Sequence, residues 1–378
     1  MVRPPALGER PPMFIADSTS RQDYHFDTAA GRYVVMCLFG SAGREPAQMA
    51  LAAVRARRAL FDDERACLFG ISTDPADRNQ ARVGADLPGI RMIWDFDQAV
   101  SHAYGAFSAF QPGRPLVHRP YWLVLDPQMR TLLVAPLAAA QAVLDFVAAL
   151  PPVEAHAGVA QNAPVLITPR VFEPEFCRRL IALFDAGEKS DSGFMITADG
   201  KSVSRRDHDF KRRTDVMIED AQTCAAIQAA IRRRLVPEIA RAFQFTATRM
   251  ERYLVARYDA EPGGYFGAHR DNTTASTAHR RFAVTINLNA EDYQGGDLCF
   301  PEFGSRHYRA PTGGAVVFSC SLLHKVEPMR SGSRYSFLPF LYDEDAARIR
   351  EGNNVHLGEG VEPYSADLAA SQTKNQAI

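Results

Sequence analysis

Apolar residues in the first 150 positions come in short continuous runs separated by stretches with helical spacing. YVVMCLF (33–39), ACLFGIS (66–72) and RPYWLVLD (119–126) are nearly unbroken, the pattern of strands buried on both faces. EPAQMALAAVRARRALF (45–61) and AAQAVLDFVAAL (139–150) repeat their apolar positions as a helix face does. Pro46 stands in the first turn of the former, where a missing N–H costs nothing. Strand–helix–strand order predicts a mostly parallel sheet with helices on its faces.

The pattern changes after PPVEAHAGVAQNA (151–163), a Pro/Ala/Gly-rich stretch without periodicity that reads as a linker. Helices come first: 171–187, with Pro174 at its start and Gly187 at its end, and 220–243, with Asp220 as N-cap. Short strands separated by Gly, Pro and Asn follow: 281–289, 296–301, 314–320 and 334–342. Helices and then a run of strands predict a β-sandwich or double-stranded β-helix (a jelly roll) braced by helices. The expected organisation is an α/β domain over 1–150, a linker at 151–163, a second domain over 164–350 and a polar, surface-draped tail at 351–378.

Composition narrows the function classes. The chain has 378 residues, 46% of them hydrophobic and 23% charged, with 43 Lys+Arg against 44 Asp+Glu. This is ordinary globular usage, and the balance gives no reason to expect nucleic acid or an anionic membrane as partner. No apolar run approaches the roughly 20 residues that span a bilayer. The N-terminus lacks the apolar core of a signal peptide, so a cytoplasmic location is expected. Cys37, Cys67, Cys177, Cys224, Cys299 and Cys320 are scattered without metal-type spacing and read as buried thiols.

The densest chemistry lies in GGYFGAHRDNTT (263–274). His269 and Asp271 are two apart, so an extended segment turns both to one face, where they can reach one ion. His324, in SCSLLHKVEP (319–328) after another apolar strand, is the candidate third ligand. Two histidines and a carboxylate make the facial triad of non-haem Fe(II) oxygenases, which leaves positions open for co-substrate and oxygen. Arg334 and Ser336 share one face of a later strand. A guanidinium fork with a hydroxyl beside it suits a terminal carboxylate.

RYDAEPGGYFGAHRD (257–271), RFAVTINLNAEDYQGGDLCFPEFG (281–304), PTGGAVVFSCSLLHKVEP (311–328) and SGSRYSF (331–337) carry a resemblance. Residues 164–345 resemble an Fe(II)/2-oxoglutarate-dependent dioxygenase of the prolyl-4-hydroxylase-like group. The resemblance implies a hydroxylase acting on an unactivated C–H of a peptide, protein side chain or amino-acid-like metabolite. It implies Fe(II), 2-oxoglutarate and O2, with ascorbate as an in vitro aid. His269, Asp271 and His324 would bind iron, and Arg334, Tyr258 and Ser336 would bind 2-oxoglutarate. Asp271, where a halogenase would have Ala or Gly, favours hydroxylation or desaturation.

GERPPMF (8–14), GRYVVMCLFGSAG (31–43), IWDFDQAVSHAYGAF (93–107) and RPYWLVLDPQMRTL (119–132) resemble the peroxiredoxin branch of the thioredoxin fold. That family needs a low-pKa thiolate at the start of the helix after the first core strand. SAGREPAQMA (41–50) contains no cysteine there, and Arg119 is at most a relic of the family's arginine. A non-catalytic scaffold is therefore expected. Two alternatives stay open: a thiol peroxidase or redox sensor, and a module that binds a partner protein.

The charged segment KSVSRRDHDFKRRTD (201–215) reads as a solvated loop or as a lid over the iron, with Arg213, and beside it Arg212, placed to meet a substrate carboxylate. NTTASTAHRR (272–281) is expected to line the entrance. His208, His279 and His307 are polar neighbours with no assigned role.

Overall fold

In the computed structural model, which describes residues 3–107 and 117–366, the chain forms two compact units. One comprises Met1–Asn162 with Pro301–Ser305, the other Ala163–Phe300 with Arg306–Ile378. No helix of the described residues is long and apolar enough to cross a membrane.

The first unit is built on five strands: β1 (Tyr33–Gly40), β2 (Ala66–Ser72), β3 (Ile90–Trp94), β4 (Tyr121–Leu125) and β5 (Thr131–Pro136), in the order β3-β2-β1-β4-β5. β1, β2 and β3 run parallel, whereas β4 and β5 pair antiparallel. Every residue of β1 and β2 is buried, as their unbroken apolar runs require. Helices α1 (Glu45–Ala56) and α2 (Ala140–Ala149) cover one face, with Ala50, Leu51 and Val54 of α1 and Val143, Leu144 and Val147 of α2 packed on Val35, Leu68 and Trp122. Each large side chain buried in this way contributes about 1.5–3 kcal/mol.

In the second unit, α3 (Pro174–Ala186), α4 (Ala221–Arg234) and α5 (Val236–Phe243) brace a nine-stranded sheet. Its central strands include β7 (Thr214–Met217), β8 (Leu254–Asp259), β10 (Phe282–Asn287), β13 (Ala315–Ser319), β15 (Ser333–Phe337) and β16 (Phe340–Tyr342). A five-stranded sheet has the order β6 (Lys211–Arg212), β9 (Tyr265–His269), β14 (His324–Val326), β11 (Leu298–Cys299) and β12 (His307–Tyr308). Alternation divides the large sheet. Val255, Val284, Ile286, Val317 and Phe337 meet Leu180, Phe184, Ile227 and Ile231 of the helices, so the neighbouring positions Tyr258, Asn287, Arg334 and Ser336 point to the other face.

Several expected elements differ. Helix 45–61 ends at Ala56, with a separate 3-10 turn at Arg58–Leu60. Helix 220–243 is two helices, because Pro237 lacks the N–H that would continue the ladder and restarts it instead. Strand 334–342 is likewise interrupted before Pro339, and strand 296–301 shortens to Leu298–Cys299.

Segment 201–215 is not a loop. Lys201–Arg205 forms a hairpin with Phe194–Ala198, residues 206–210 make a turn, and β6 and β7 carry the end of the segment into the two sheets. The tail is docked where it is described. Tyr364 packs on Tyr342, Ala346 and Ala347, and the Asn354 side chain bonds its N–H and carbonyl. Residues 367–378 of that tail lie outside the described residues.

Candidate metal centre

β9 and β14 are antiparallel neighbours, with His269 directly opposite His324. The register shifts between Phe266 and His269, a bulge that turns both onto one face of β9. Gly267 permits it: a Cβ there would lie 2.7 Å from the Phe210 ring, and its N–H bonds the Phe210 carbonyl at 2.8 Å. Asp271 follows immediately, held by its N–H on the Cys320 carbonyl at 3.0 Å.

The two imidazoles are fixed in the same way. His269 Nδ1 lies 2.7 Å from the Gly267 carbonyl and His324 Nδ1 lies 3.1 Å from the Leu322 carbonyl, each two residues back along the chain. Both Nε2 atoms therefore face Asp271, at 3.6 Å from Oδ1 and 3.4 Å from Oδ2 respectively. One ligand atom from each of the three residues lies within 4.8 Å of the others. Burial alone would raise the Asp271 carboxyl. The His324 and His269 imidazoles outweigh it and hold Asp271 well below the usual carboxylate range. Burial, and then repulsion from His269, push His324 down to about 4, which keeps its imidazole neutral. Phe266 stacks on His269 at 3.6 Å and Phe318 packs edge-on to His324 at 4.6 Å. These rings wall one side of the site against water.

This donor set fits a divalent iron. Two imidazole nitrogens and an ionised carboxylate converge on one point, the ligand set of a non-haem iron centre.

A second buried cluster is assembled on β8 and β15. Tyr258 on β8 is the register partner of Arg334 on β15, and the guanidinium stands 5.3 Å from the Tyr258 ring centre. Arg334, 2% exposed, donates from Nε to Ser336 Oγ at 3.2 Å and from Nη1 to the Gly296 carbonyl at 2.5 Å. Gly296 has a positive φ of 65°, and a Cβ there would lie 2.3 Å from the Met329 sulfur, so glycine is required where its carbonyl orients Arg334.

Arg213 is not on an exposed lid. It is buried and donates from Nη2 to Asp215 Oδ2 at 2.7 Å and to Ser192 Oγ at 2.8 Å. It also stands 5.9 Å from the Tyr258 ring, on the inner side of the large sheet. Arg212 is directed outward and binds the His208 and Pro262 carbonyls. The three unassigned histidines do not join the triad: His208 is exposed against Asp191, His279 is buried against Glu251, and His307 stands 3.9 Å from Asp297.

Residues overlooked in the sequence are Lys211, Asp215, Arg252 and the Glu251–Arg280 pair. Arg280 donates to Glu251 at 2.6 Å and reaches the Asp271 carbonyl at 3.4 Å. A signal existed: Lys211, Arg213 and Asp215 alternate along the chain, and all three are buried, Lys211 on β6, Asp215 on β7 and Arg213 between them. Cys299, His307 and Glu327 form a second group of close ligand atoms, in which Lys325 Nζ stands 2.8 Å from Glu327.

In the first unit, the start of α1 holds no thiol. Ala42, Gly43, Gln48, Leu51, Arg55 and Arg82 line a cavity of about 440 Å³ there. Cys37 and Cys67 are fully buried inside β1 and β2. Burial drives both thiols up, Cys67 to about 12 and Cys37 further. Arg119 is exposed.

The family model described as the 2OG-Fe(II) oxygenase superfamily matches residues 253–342, and that of the AhpC/TSA family matches residues 7–130. A PKHD-type hydroxylase of Idiomarina loihiensis is 23% identical, over 43% of this chain and 69% of its own length. A PKHD-type hydroxylase of Acaryochloris marina is 37% identical, over 21% of this chain and 37% of its own. A Pseudomonas putida prolyl-4-hydroxylase of known structure is 20% identical with a TM-score of 0.36, covering 48% of this chain and 93% of that one.

Proposed function

We propose that this chain, with a 2OG-Fe(II) oxygenase domain in its second unit and an AhpC/TSA-family domain in its first, hydroxylates an unactivated C–H bond of a peptide, protein side chain or amino-acid-like metabolite. The observation that carries the reading is the convergence of His269, Asp271 and His324 beside a buried Arg334. Matches to PKHD-type hydroxylases support hydroxylation over other outcomes.

Iron bound with 2-oxoglutarate and O2 supplies the oxidising chemistry, in which R–H, 2-oxoglutarate and O2 give R–OH, succinate and CO2. The residues supply placement. His269 and His324 present Nε2 because their Nδ1 protons are spent on backbone carbonyls. Asp271 offsets part of the metal charge. Arg334, held by Ser336 and the Gly296 carbonyl and flanked by Tyr258, takes the far carboxylate of 2-oxoglutarate. Phe266 and Phe318 pack on the two imidazoles and shield them from water.

The test is succinate formation by the full chain with Fe(II), ascorbate, 2-oxoglutarate and a panel of peptides and N-acylated amino acids. Turnover and metal retention are expected to fail together in His269→Ala. Full turnover by that variant would sink the assignment.

The first unit belongs to this reading as a non-catalytic thioredoxin-fold scaffold that binds a partner protein. Its buried thiols support that role over a peroxidase. A cytoplasmic location accords with six buried cysteines, none of them in a disulfide.

A further inference from the structure

Three basic residues and one carboxylate, Lys211, Arg213, Arg252 and Asp215, are gathered at the ends of β6, β7 and β8, and none of them is needed to hold iron or 2-oxoglutarate. Lys211 is the register partner of Phe266 and so lies on the metal-facing side of β9. It is 3% exposed, stands 4.6 Å over the Phe266 ring and donates to the Gly193 carbonyl at 2.6 Å. Arg213 and Arg252 both address one oxygen, Asp215 Oδ2, at 2.7 and 3.8 Å. Ser192 donates to the same oxygen at 2.5 Å, while Asp215 Oδ1 and Arg213 Nε are buried without hydrogen-bond partners among the described residues.

Charge does not balance here. Lys211, Arg213 and Arg252 are set around Asp215, with Asp271 also acting on Lys211 and Glu251 on Arg252, and the basic side chains outnumber the carboxylate they share. The adjoining cluster adds to it, because Arg280 and Arg350 share the single carboxylate of Glu251. Withdrawn cations without counter-charge are costly unless a ligand supplies it. Burial and the neighbouring Arg213 depress the Lys211 ammonium well below its ordinary range. Arg252 adopts a positive φ of 71° and keeps its side chain 28% exposed, so the group has an outward-facing member and a buried end. A non-glycine residue held in that region is strained, and such strain clusters at functional sites.

The geometry points to a carboxylate-bearing substrate, whose acid group is received by Lys211, Arg213 and Arg252 while a C–H elsewhere on it faces the triad. This inference rests on the oxygenase reading and narrows its substrate class to acids. The acid is either that of a free amino-acid-like molecule or that of a Glu or Asp side chain in a peptide.

The test uses pairs that differ by one charge and little else. N-acetylglutamate and N-acetylglutamine, and a pentapeptide Ac-Ala-Ala-Glu-Ala-Ala-amide with its Gln counterpart, are titrated calorimetrically into the full chain loaded with Mn(II) and 2-oxoglutarate. The acid of at least one pair is expected to bind about tenfold tighter than its amide, the size of one charged hydrogen bond. Preference within the free pair identifies a small acid, and preference confined to the peptide pair identifies an acidic side chain. Lys211→Met is expected to bring the ratio below about threefold. Arg252→Met, at the more exposed residue, is a second variant expected to lower it. Equal affinity within both pairs, no binding by any probe, or a ratio unchanged in both variants would overturn the proposal. Failure of the Mn(II)-loaded chain to bind 2-oxoglutarate, read in the same instrument, would instead strike the underlying oxygenase reading.

Discussion

Cys37 in the first unit and Asp271 in the second are both ionisable groups withdrawn from water, with opposite results. Cys37 lies inside a strand with burial as the sole influence on its thiol, which is driven up and out of use. Asp271 is also buried, but two imidazoles stand within 3.6 Å and hold it as a carboxylate. Burial by itself silences a group; burial beside a matched partner poises it. The units therefore differ less in kind of residue than in what each buried residue is set against.

The largest effect expected from this contrast is on thiol reactivity. At pH 7, Cys37 and Cys67 in the folded chain should react with a thiol-specific disulfide reagent at least about a thousandfold more slowly than free cysteine, since thiolate is the reacting form. Site-resolved mass spectrometry over a time course measures this. A rate within tenfold of free cysteine at either position would restore the peroxidase or sensor alternative and break the contrast.

Much of this contrast was legible in the sequence, for a physical reason. A strand buried on both faces must be apolar throughout, so Cys37 and Cys67 could be placed in cores without a structure. Two residues apart on an extended segment share a face, so His269 and Asp271 could be paired. The bulge between Phe266 and His269 had no such signature, because it depends on Gly267 meeting Phe210, which lies far off in the sequence. Segment 201–215 misled for another reason. Charged residues are usually solvated, and that prior outweighed the alternation of Lys211, Arg213 and Asp215, which turns charge into the interior. Pro237 and Pro339 marked breaks that the apolar periodicity ran through.

The second effect concerns Arg334, a buried guanidinium held by Ser336 and the Gly296 carbonyl. Arg334→Ala should raise the apparent requirement for 2-oxoglutarate about a hundredfold, as truncating one partner of a buried charge pair costs several kcal/mol. Arg334→Lys should recover part of this, because a single ammonium replaces one arm of a two-donor fork. Succinate formation against 2-oxoglutarate concentration reads both. An unchanged requirement in the Ala variant would move the co-substrate anchor elsewhere.

The smallest effect sharpens the contrast on two buried aspartates. Asp95 in the first unit accepts only uncharged donors, from the Val100 and Ser101 N–H groups at 2.9 and 2.8 Å, and burial outweighs them and raises its carboxyl. Asp215 in the second unit is as deeply placed, yet Arg213 overcomes burial and holds it at about 2. Linkage then gives the two residues opposite signs. The lowered Asp215 contributes stability that is complete above the unfolded value near 4 and is lost as pH falls through about 2. The raised Asp95 penalises the fold at neutral pH, and that penalty is relieved on protonation. The destabilisation caused by Asp215→Asn, measured as a difference from the parent chain, should therefore shrink by about 2 kcal/mol between pH 5 and pH 2. That caused by Asp95→Asn should grow over the same fall in pH. Trp94 and Trp122, the chain's two tryptophans, both belong to the first unit, so their fluorescence follows the Asp95 variant, while far-ultraviolet circular dichroism registers both units. Parallel slopes for the two variants would show that a neighbouring guanidinium does not decide the fate of a buried acid in this chain.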